Sequence, residues 1–284
     1  HRERHSGPTR RSSDLSAIAT GARRALPNVE VVELAIADGG DGTAEVVCRA
    51  RGGSFREVTA VDPLGRARAA RYAWLDDGTA VIDVATASGL ALLQTSERSA
   101  LIATSYGTGE LLRAALEAGA KRVVLGVGGS ATVDGGAGIL QALGARLLDG
   151  DGRELERGGA ALSRLARIDV SGVTQHAREV PIDVACDVDS RLLGEHGAAR
   201  LFGPQKGATA AGVEQLEAAL AHFAGVVKRD FASDIAEVTS GGAAGGIAAG
   251  LHGVLGARLL PGVDLVLDAV GFDRALSGAA LCIT

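Results

Sequence analysis

The sequence has no methionine and one tryptophan, and aromatic residues make up only 3% of its 284 residues. Proteins that bind single-stranded nucleic acid usually combine aromatic side chains, on which bases stack, with a basic groove. The formal net charge here is −5 at pH 7, so the chain has no overall positive field to attract a polyanion. The composition therefore argues against nucleic acid as a partner.

Cysteine is equally scarce, at Cys48, Cys186 and Cys282. The three positions are far apart and form neither a CxxC pair nor a metal-ligand spacing. Because all three lie in apolar surroundings, we expect buried thiols in a reducing, cytoplasmic compartment. No apolar run reaches the length of about 18 residues that a membrane-spanning helix needs, so we expect no membrane association.

Lysine occurs only at Lys121, Lys206 and Lys228. Lys206 lies in "GPQKG", where a proline and two glycines restrict the loop to a fixed shape. A solvated surface side chain is the usual interpretation of a loop lysine. The rarity of lysine in this chain favours instead a role for Lys206 in offsetting negative charge.

The two ends differ from the rest of the chain. Residues 1–14 are polar, rich in arginine and without hydrophobic periodicity, so we predict a non-native tail without regular structure. The last residues, "AALCIT", form an apolar run that predicts a strand at Leu281–Thr284. We therefore expect a chain that is truncated at both ends.

Glycine is abundant, at 41 residues, and it separates helical patterns from strand patterns along the whole sequence. Helices are predicted in "LSAIATGARRALP", "DGTAEVVCRARGG", "GTGELLRAALEAG" (with Thr108 as N-cap), "GAGILQALGA", "AAGVEQLEAALAHFAGVVKRDF" and "GGAAGGIAAGLHGVLGA", and a last short helix between "VDLVLDAVGF" and "AALCIT". Strands are predicted in "VEVVELAI", "SFREVTAVDPLG", "RARAARYAWLDDGTAVIDVA" (a hairpin turning at 76–78), "KRVVLGVG" and "EVPIDVACDV". This alternation predicts an α/β fold with parallel crossovers and at least one antiparallel hairpin.

The loop "DGGDGT" carries the first candidate site residues, Asp38, Gly39, Gly40 and Asp41. The two carboxylates are three residues apart and precede a helix, so they could hold a divalent cation or accept a hydrogen bond from a substrate hydroxyl. The alternative is a helix cap, which by itself stabilises a helix by about 1 kcal/mol.

The stretch "GVGGSATVDGGAG" follows a predicted strand and supplies Gly128, Gly129, Ser130 and Asp134. Its first residues fit G-x-G-x-x-A, a dinucleotide-binding pattern that is weak in so glycine-rich a chain. The ribose-binding acid of that pattern would be Asp149, which lies in an apparent hairpin turn. We favour a cradle for phosphate or carboxylate, lined by main-chain N–H groups and hydroxyls, over a nicotinamide cofactor site or a purely structural turn.

The stretch "CDVDS" places Asp187 and Asp189 two residues apart. In a strand the two side chains would lie on the same face, where they would repel each other unless a cation or a donor lay between them. This spacing suggests a metal ion or a substrate hydroxyl.

Five stretches together resemble the bacterial glycerate kinase family: "ADGGDGTAEVV", "TSYGTGELL", "GVGGSATVDGGAGILQALGA", "ACDVDSRLLGEHGAARLFGPQKGA" and "GGAAGGIAAGL". The resemblance runs from about Leu15 to Thr284. Members of the family begin with a loop like "PDSFKGSLSA", of which only "LSA" remains here, and they continue through "ITGEGR", where this chain stops.

The resemblance implies ATP-dependent phosphorylation of D-glycerate, with 2-phosphoglycerate the favoured product, Mg²⁺ as cofactor and a homodimer as one option for assembly. It implies two α/β domains: an incomplete Rossmann-like domain at 15–60 and 260–284, and an inserted mixed-sheet domain at 61–259. Asp187, Asp189 and Lys206 are then the catalytic candidates, with Asp187 and Asp189 also proposed for the metal. Substrate and phosphate would bind to Asp38, Gly39, Gly40, Asp41, Gly107, Thr108, Gly128, Gly129, Ser130 and Asp134. Two alternatives remain, an NAD(P)-dependent oxidoreductase and an inert ligand-binding fragment.

Overall fold

The computed structural model describes residues 8–283. Its helices are α1 (Pro8–Ala25), α2 (Thr43–Arg51), α3 (Ala85–Ser88), α4 (Tyr106–Glu117), α5 (Ala137–Ala142), α6 (Gln175–Glu179), α7 (Ala198–Phe202), α8 (Ala210–Phe231), α9 (Ala243–Leu255), α10 (Gly262–Val270) and α11 (Phe272–Ser277). Its strands are β1 (Gly53–Val61), β2 (Ala67–Leu75), β3 (Thr79–Asp83), β4 (Arg122–Gly126), β5 (Arg146–Leu148), β6 (Arg167–Asp169), β7 (Ile182–Cys186) and β8 (Arg258–Pro261).

Six strands form one sheet in the order β1-β2-β3-β4-β7-β8. The pairs β1–β2 and β2–β3 are antiparallel, whereas β3, β4, β7 and β8 run parallel to one another. β5 and β6 form a separate antiparallel pair. The predicted α/β class and the hairpin at 76–78 are confirmed, because β2 turns directly into β3.

Helices cover both faces of the sheet, as the burial of its parallel strands requires. The larger core includes Ile82, Leu125 and Val184 from the strands and Leu111 from α4. A smaller core on the other face joins α2 and α10 to the strands, and Val81 belongs to it. Burial of both faces explains why β3, β4 and β7 read as nearly continuous apolar runs.

An ion cluster holds the amino-terminal edge of the parallel strands together. Asp183, at the start of β7, is fully buried and accepts hydrogen bonds from Arg122 of β4 at 2.6 Å and from Arg258 of β8 at 2.6 and 2.9 Å. Both arginines are about half exposed, so their charge stays solvated while three strands are linked. We call this cluster the Asp183 clamp.

Two predicted strands are absent, and one further segment differs from its expectation. The segment "VEVVELAI" has no assigned strand, because no strand within 8–283 pairs with it. The "AALCIT" run is likewise without regular structure at 279–283, and Thr284 lies outside the described residues. The predicted last short helix is present as α11, but the run "VDLVLDAVGF" before it also forms most of a helix, α10, since its apolar residues fit a helical period.

Two further sequence-based expectations, an unstructured tail and a buried Cys282, are wrong. Residues 8–14 of the predicted unstructured tail form the first turns of α1, and residues 1–7 lie outside the described part. Cys282 is exposed, although Cys48 and Cys186 are buried as expected. Among the described helices, none is long and apolar enough to cross a membrane. The domain boundaries near residues 60 and 260 stay predictions; β1 and β8, which adjoin them, belong to the same sheet as β2, β3, β4 and β7.

Candidate active site at the carboxyl edge of the parallel strands

The candidate site residues gather where the parallel strands end. Asp83 at the end of β3 is level with Gly126 at the end of β4, and Cys186 of β7 is level with Pro261 of β8. Open α/β sheets bind their ligands at this edge, where the loops after the strands meet. The Asp183 clamp lies at the opposite edge.

The glycines of "DGGDGT" and "GVGG" let two loops pack backbone against backbone. A Cβ at Gly128 would lie 2.4 Å from the Cα of Gly40, and a Cβ at Gly39 would lie 2.8 Å from the carbonyl oxygen of Ala185. The N–H of Gly128 donates to the carbonyl of Gly39 at 3.3 Å. These positions must be bare because the loop 38–43 lies directly on the ends of β4 and β7.

Asp83 is a site residue that sequence reasoning missed. Its side chain is buried, and its carboxylate accepts hydrogen bonds from the N–H of Gly42 at 3.0 Å and from the N–H of Ala44 at 3.1 Å. Burial raises the pKa of Asp83 to about 7, and the negative charges of Asp41 and Glu45 add to the effect. Only the position of Asp83 at the end of a strand hinted at this role, since its partners lie about 40 residues earlier in the chain.

Asp38 and Asp187 lie on either side of the turn that opens α10. A Cβ at Gly262 would lie 2.2 Å from the carbonyl oxygen of Asp38 and 3.0 Å from Oδ1 of Asp187. The N–H of Val263 donates to Oδ1 of Asp187 at 3.3 Å. Partial burial raises the pKa of Asp187, and the nearby charge of Asp38 raises it further.

Lys206 and Ser130 form a buried polar pair. Nζ of Lys206 donates to Oγ of Ser130 and to the carbonyl oxygen of Thr132, both at 2.8 Å. Lys206 is only 3% exposed, and burial lowers its pKa to about 7, against the opposing effect of Asp134. The solvated surface lysine is therefore excluded in this structure, and the ammonium group lies under the glycine-rich loop.

Asp134 is fully buried and makes structural hydrogen bonds. It accepts from the N–H and the hydroxyl of Ser105 at 2.8 and 2.9 Å, and from the N–H groups of Gly136 and Gly138 at 3.2 and 3.3 Å. These donors start α4 and α5, so one carboxylate caps both helices. Burial raises the pKa of Asp134 despite these bonds.

Gly107 and Thr108 lie inside α4 and are buried. The helix begins at Tyr106 with Ser105 as its N-cap, so the expectation that Thr108 is the N-cap is wrong. A Cβ at Gly107 would lie 1.9 Å from the carbonyl oxygen of Val61, and the Thr108 hydroxyl donates to Oγ of Ser88 at 2.8 Å. Both residues therefore contact neighbouring backbone or side chains of the core.

Asp41, Gly129 and Asp189 are exposed at the same edge. β7 ends at Cys186, so Asp187 and Asp189 are not in a strand and the argument that they share a strand face is wrong. Asp41 precedes Gly42, the N-cap of α2, rather than lying in the helix itself. Gly129 has a φ of 71°, which glycine adopts without strain.

The start of α9 packs against the backbone of the glycine-rich loop that carries Ser130. Ala244, Gly245 and Gly246 have left-handed backbone conformations, and a Cβ at Gly245 would lie 1.9 Å from the carbonyl oxygen of Thr132. The regular helix therefore begins later than the sequence predicts. The loop after β7 adjoins the same turn, because the N–H of Gly242 donates to the carbonyl of Ser190 at 2.9 Å.

Metal-binding capacity at this edge rests on pairs of carboxylates. Within residues 8–283, no group of three or more His, Cys, Asp or Glu side chains is arranged to hold a metal ion. Mg²⁺ is commonly held by one or two carboxylates together with phosphate oxygens and water. The exposed carboxylates of Asp187 and Asp189 fit that requirement, since they offer hard oxygen ligands without a closed protein cage.

The "GVGG" loop does not have the layout of a dinucleotide site. In that motif the glycine turn leads directly into a helix, whereas here α5 begins only at Ala137, well after Gly126. Asp149, the ribose-binding candidate, accepts hydrogen bonds from Asp151 and Arg153 at 2.9 Å within its own turn. The geometry thus gives no support to a nicotinamide cofactor.

Comparison with known proteins gives a consistent result over nearly the whole chain. The glycerate kinase family matches residues 12–284. The glycerate kinase of Bacillus subtilis is 46% identical over 269 residues, which are 94% of this chain and 70% of that protein. The glycerate 2-kinase of Escherichia coli is 44% identical over 274 residues, 96% of this chain and 72% of that protein.

A solved structure shows the same fold. It is the crystal structure of a protein from Salmonella typhimurium LT2 assigned as glycerate kinase 2, and it superposes with a TM-score of 0.87 at 43% identity. The match covers 93% of this chain and 71% of that chain.

Proposed function

Since the chain belongs to the glycerate kinase family, we propose that its carboxyl-edge site transfers the γ-phosphoryl group of ATP to the C2 hydroxyl of D-glycerate. The products are 2-phosphoglycerate and ADP. The reaction consumes ATP, so we place it in the cytoplasm. The observation that carries the proposal is the meeting, at one sheet edge, of a buried lysine beside a glycine-rich loop and a set of exposed carboxylates.

Phosphoryl transfer needs little covalent chemistry from a protein, because its transition state is loose and catalysis is mostly positioning and charge stabilisation. The oxygen at C2 attacks the γ-phosphorus as the bond to the bridging oxygen of ADP breaks. The protein must therefore hold two anionic substrates in line and neutralise charge on the transferred group.

We assign the phosphate side of the site to the loop 128–130 and Lys206. Gly129 is exposed, so its main chain is accessible to a phosphate oxygen, and Ser130 connects this loop to the lysine. A protonated Lys206 places positive charge beneath the loop in a region of low dielectric constant, where such charge acts strongly. Asp134 supports the same loop through its hydrogen bonds to α5 without facing the substrate.

We assign the glycerate side to the loop 38–43 and to Asp187. The exposed carboxylates of Asp38 and Asp41 accept hydrogen bonds from the hydroxyl groups of glycerate. Asp187 takes the proton of the attacking hydroxyl, and the raised pKa that burial and Asp38 give it makes it a stronger base than an ordinary aspartate.

Asp189, with Asp187 nearby, would hold Mg²⁺. When bound, the ion neutralises negative charge on the ATP phosphates. The part of this chain is to present the carboxylate of Asp189 on an exposed loop that the phosphates can reach.

The proposal is tested with purified protein, ATP and either D- or L-glycerate. We expect ADP release only with the D-isomer, and a product that enolase converts directly, because enolase acts on 2-phosphoglycerate. A product that needs phosphoglycerate mutase first would replace C2 by C3 as the site of transfer. Absence of ATP turnover together with binding of NADH would favour the oxidoreductase alternative.

A further inference from the structure

The amino terminus of α2 has an N-cap residue but no side-chain capping hydrogen bond from it. Its N-cap is Gly42, with φ of 96°, and no side chain of that residue can accept a hydrogen bond. Helix termini leave several N–H groups without partners inside the helix. Here two of them, on Gly42 and Ala44, are satisfied by Asp83, which arrives from the end of β3.

The fit of Asp83 depends on bare backbone around it. A Cβ at Gly126 would lie 3.0 Å from Oδ1 of Asp83 and 2.9 Å from the carbonyl oxygen of Gly39. Asp83 is only 5% exposed as a residue, so water does not compete for the two N–H groups. The loop 38–43 is thus attached to the sheet at one end by Asp83 and packed at the other against Ala185 and Gly262.

This attachment decides which groups the loop can offer to a substrate. The N–H groups of Gly42 and Ala44 are already occupied, and the N–H of Gly40 donates to Oδ1 of Asp38 at 3.0 Å. The loop therefore presents carboxylates rather than an anion-binding helix terminus. Carboxylates suit the hydroxyl groups of glycerate and repel phosphate.

We propose that Asp83 is a positioning residue that fixes the loop 38–43 as the glycerate hydroxyl subsite. The proposal rests on the function proposed above. Asp83 does not touch substrate; it acts through Gly42 and Ala44 on the placement of Asp38 and Asp41.

The charge around Asp83 gives the role a pH signature. The two charged side chains with the largest effect on it, Asp41 and Glu45, are both acidic. The ionised carboxylate accepts both N–H groups, so order in the loop should fall as pH drops below about 7. Stability should change in the opposite direction, because a pKa raised by folding contributes stability at low pH that is lost as pH rises through 7.

The test compares the whole chain with its Asp83→Asn variant by amide hydrogen exchange and by steady-state kinetics. We expect exchange at 40–46 to become at least tenfold faster while exchange at 129–134 stays unchanged. The KM for glycerate should rise about tenfold with the KM for ATP within twofold of the wild-type value. The fall in glycerate affinity below pH 7 should be absent in the variant, whose side chain does not titrate. If Asp83→Asn does not fold, Asp83→Ser keeps a smaller acceptor at the same position.

Asp183→Asn is the matched control, a buried aspartate of the same sheet at the opposite edge. It should lower the melting temperature without changing exchange at 40–46 or either KM. Unchanged exchange in the Asp83 variant would overturn the proposal, as would equal changes in the KM values for glycerate and ATP, which indicate general loosening. If the wild-type chain shows no kinase activity, that result overturns the proposed function but not yet the role of Asp83. Asp83 is then judged on exchange and on glycerate binding by calorimetry, and unchanged values of both overturn its role.

Discussion

Lys206 is subject to opposing demands at the residue scale. Transition-state stabilisation calls for a protonated ammonium group, while complete burial favours the neutral amine and lowers its pKa to about 7. Its hydrogen bonds to Ser130 and Thr132 hold the group in place in either state. A lysine in this setting is more useful for chemistry than for stability, which agrees with its proposed place beside the phosphates.

The first prediction concerns the stability cost of this lysine. Between pH 7 and about 10.5 the unfolded chain keeps a proton on Lys206 that the folded chain has released, so its contribution to stability should rise with pH. The unfolding free energy of the wild type minus that of Lys206→Met, measured by urea titration, should therefore become more positive as pH rises across this range. A difference that is flat with pH would mean that the buried amine keeps its proton.

Turnover should also separate Lys206 from an ordinary lysine. Lys206→Met should lose most activity, because no charge then faces the phosphates. Lys228→Met is the control, since the side chain of Lys228 is 63% exposed and pairs with Asp234 at the surface. Equal activity of the two variants would remove Lys206 from the mechanism.

The second prediction separates the two carboxylates after β7. Asp187→Asn should lower kcat by roughly 10² to 10⁴, the range for loss of a general base. Asp189→Asn should mainly raise the Mg²⁺ concentration needed for half-maximal activity. Asp151→Asn, in an exposed turn where it pairs with Arg153, should change neither quantity. Near-normal kinetics for both Asp187 and Asp189 variants would leave Asp38 and Asp41 as the remaining catalytic candidates.

At the scale of the element, local patterns predicted most helices and strands because their periodicity is a local property. α8 begins and ends where the amphipathic run does. The segment "VEVVELAI" failed for the opposite reason, since a strand exists only where a partner lies beside it. The sequence did not reveal the role of Asp83 for a similar reason. Its partners Gly42 and Ala44 are distant in the sequence, and only the fold brings them together. Lys206 could be singled out because lysine is rare, but its burial could not be foreseen.

The third prediction uses two glycines inside helices that look alike in sequence. Nothing lies within 4 Å of a Cβ at Gly225 in α8, whereas a Cβ at Gly250 in α9 would lie 1.9 Å from the carbonyl oxygen of Gly135. Gly225→Ala should therefore stabilise the protein by about 0.5–1 kcal/mol through helix propensity, a rise of roughly 2–4 °C per kcal/mol in melting temperature.

Gly250→Ala should instead destabilise the protein, because α9 would have to move away from the backbone beneath the site. Differential scanning calorimetry of both variants checks the pair. A stabilised Gly250→Ala variant would show that α9 does not pack as closely on the loop 132–136 as described.

At the scale of the whole molecule, two buried groups lie at one edge of the sheet, Asp83 and Lys206. Burial brings the pKa of each to about 7. The proposed mechanism needs the first ionised and the second protonated. The fourth prediction is a bell-shaped pH profile of kcat/KM for glycerate, centred near pH 7. Asp83→Asn should reduce the fall on the acid side to the part that protonation of the general base Asp187 causes, and Lys206→Arg, which keeps its charge at high pH, should remove the fall on the alkaline side.

Measurement of initial rates from pH 5 to 9 with saturating ATP checks this profile. A pH profile that is the same in both variants as in the wild type would assign the two falls to other groups. A profile that moves as a whole with ionic strength would indicate long-range electrostatics rather than these two side chains.

The Asp183 clamp at one edge and the bare loops at the other should also divide the outcomes of a genetic screen. Variants of Asp183, Arg122 or Arg258 should reduce the amount of folded protein, so growth that depends on the enzyme should recover at low temperature or with overexpression. Variants of Asp38, Asp187 or Lys206 should leave a normal amount of inactive protein, and neither condition should rescue them. Position along the strands would then tell a geneticist whether a loss of growth reflects abundance or catalysis.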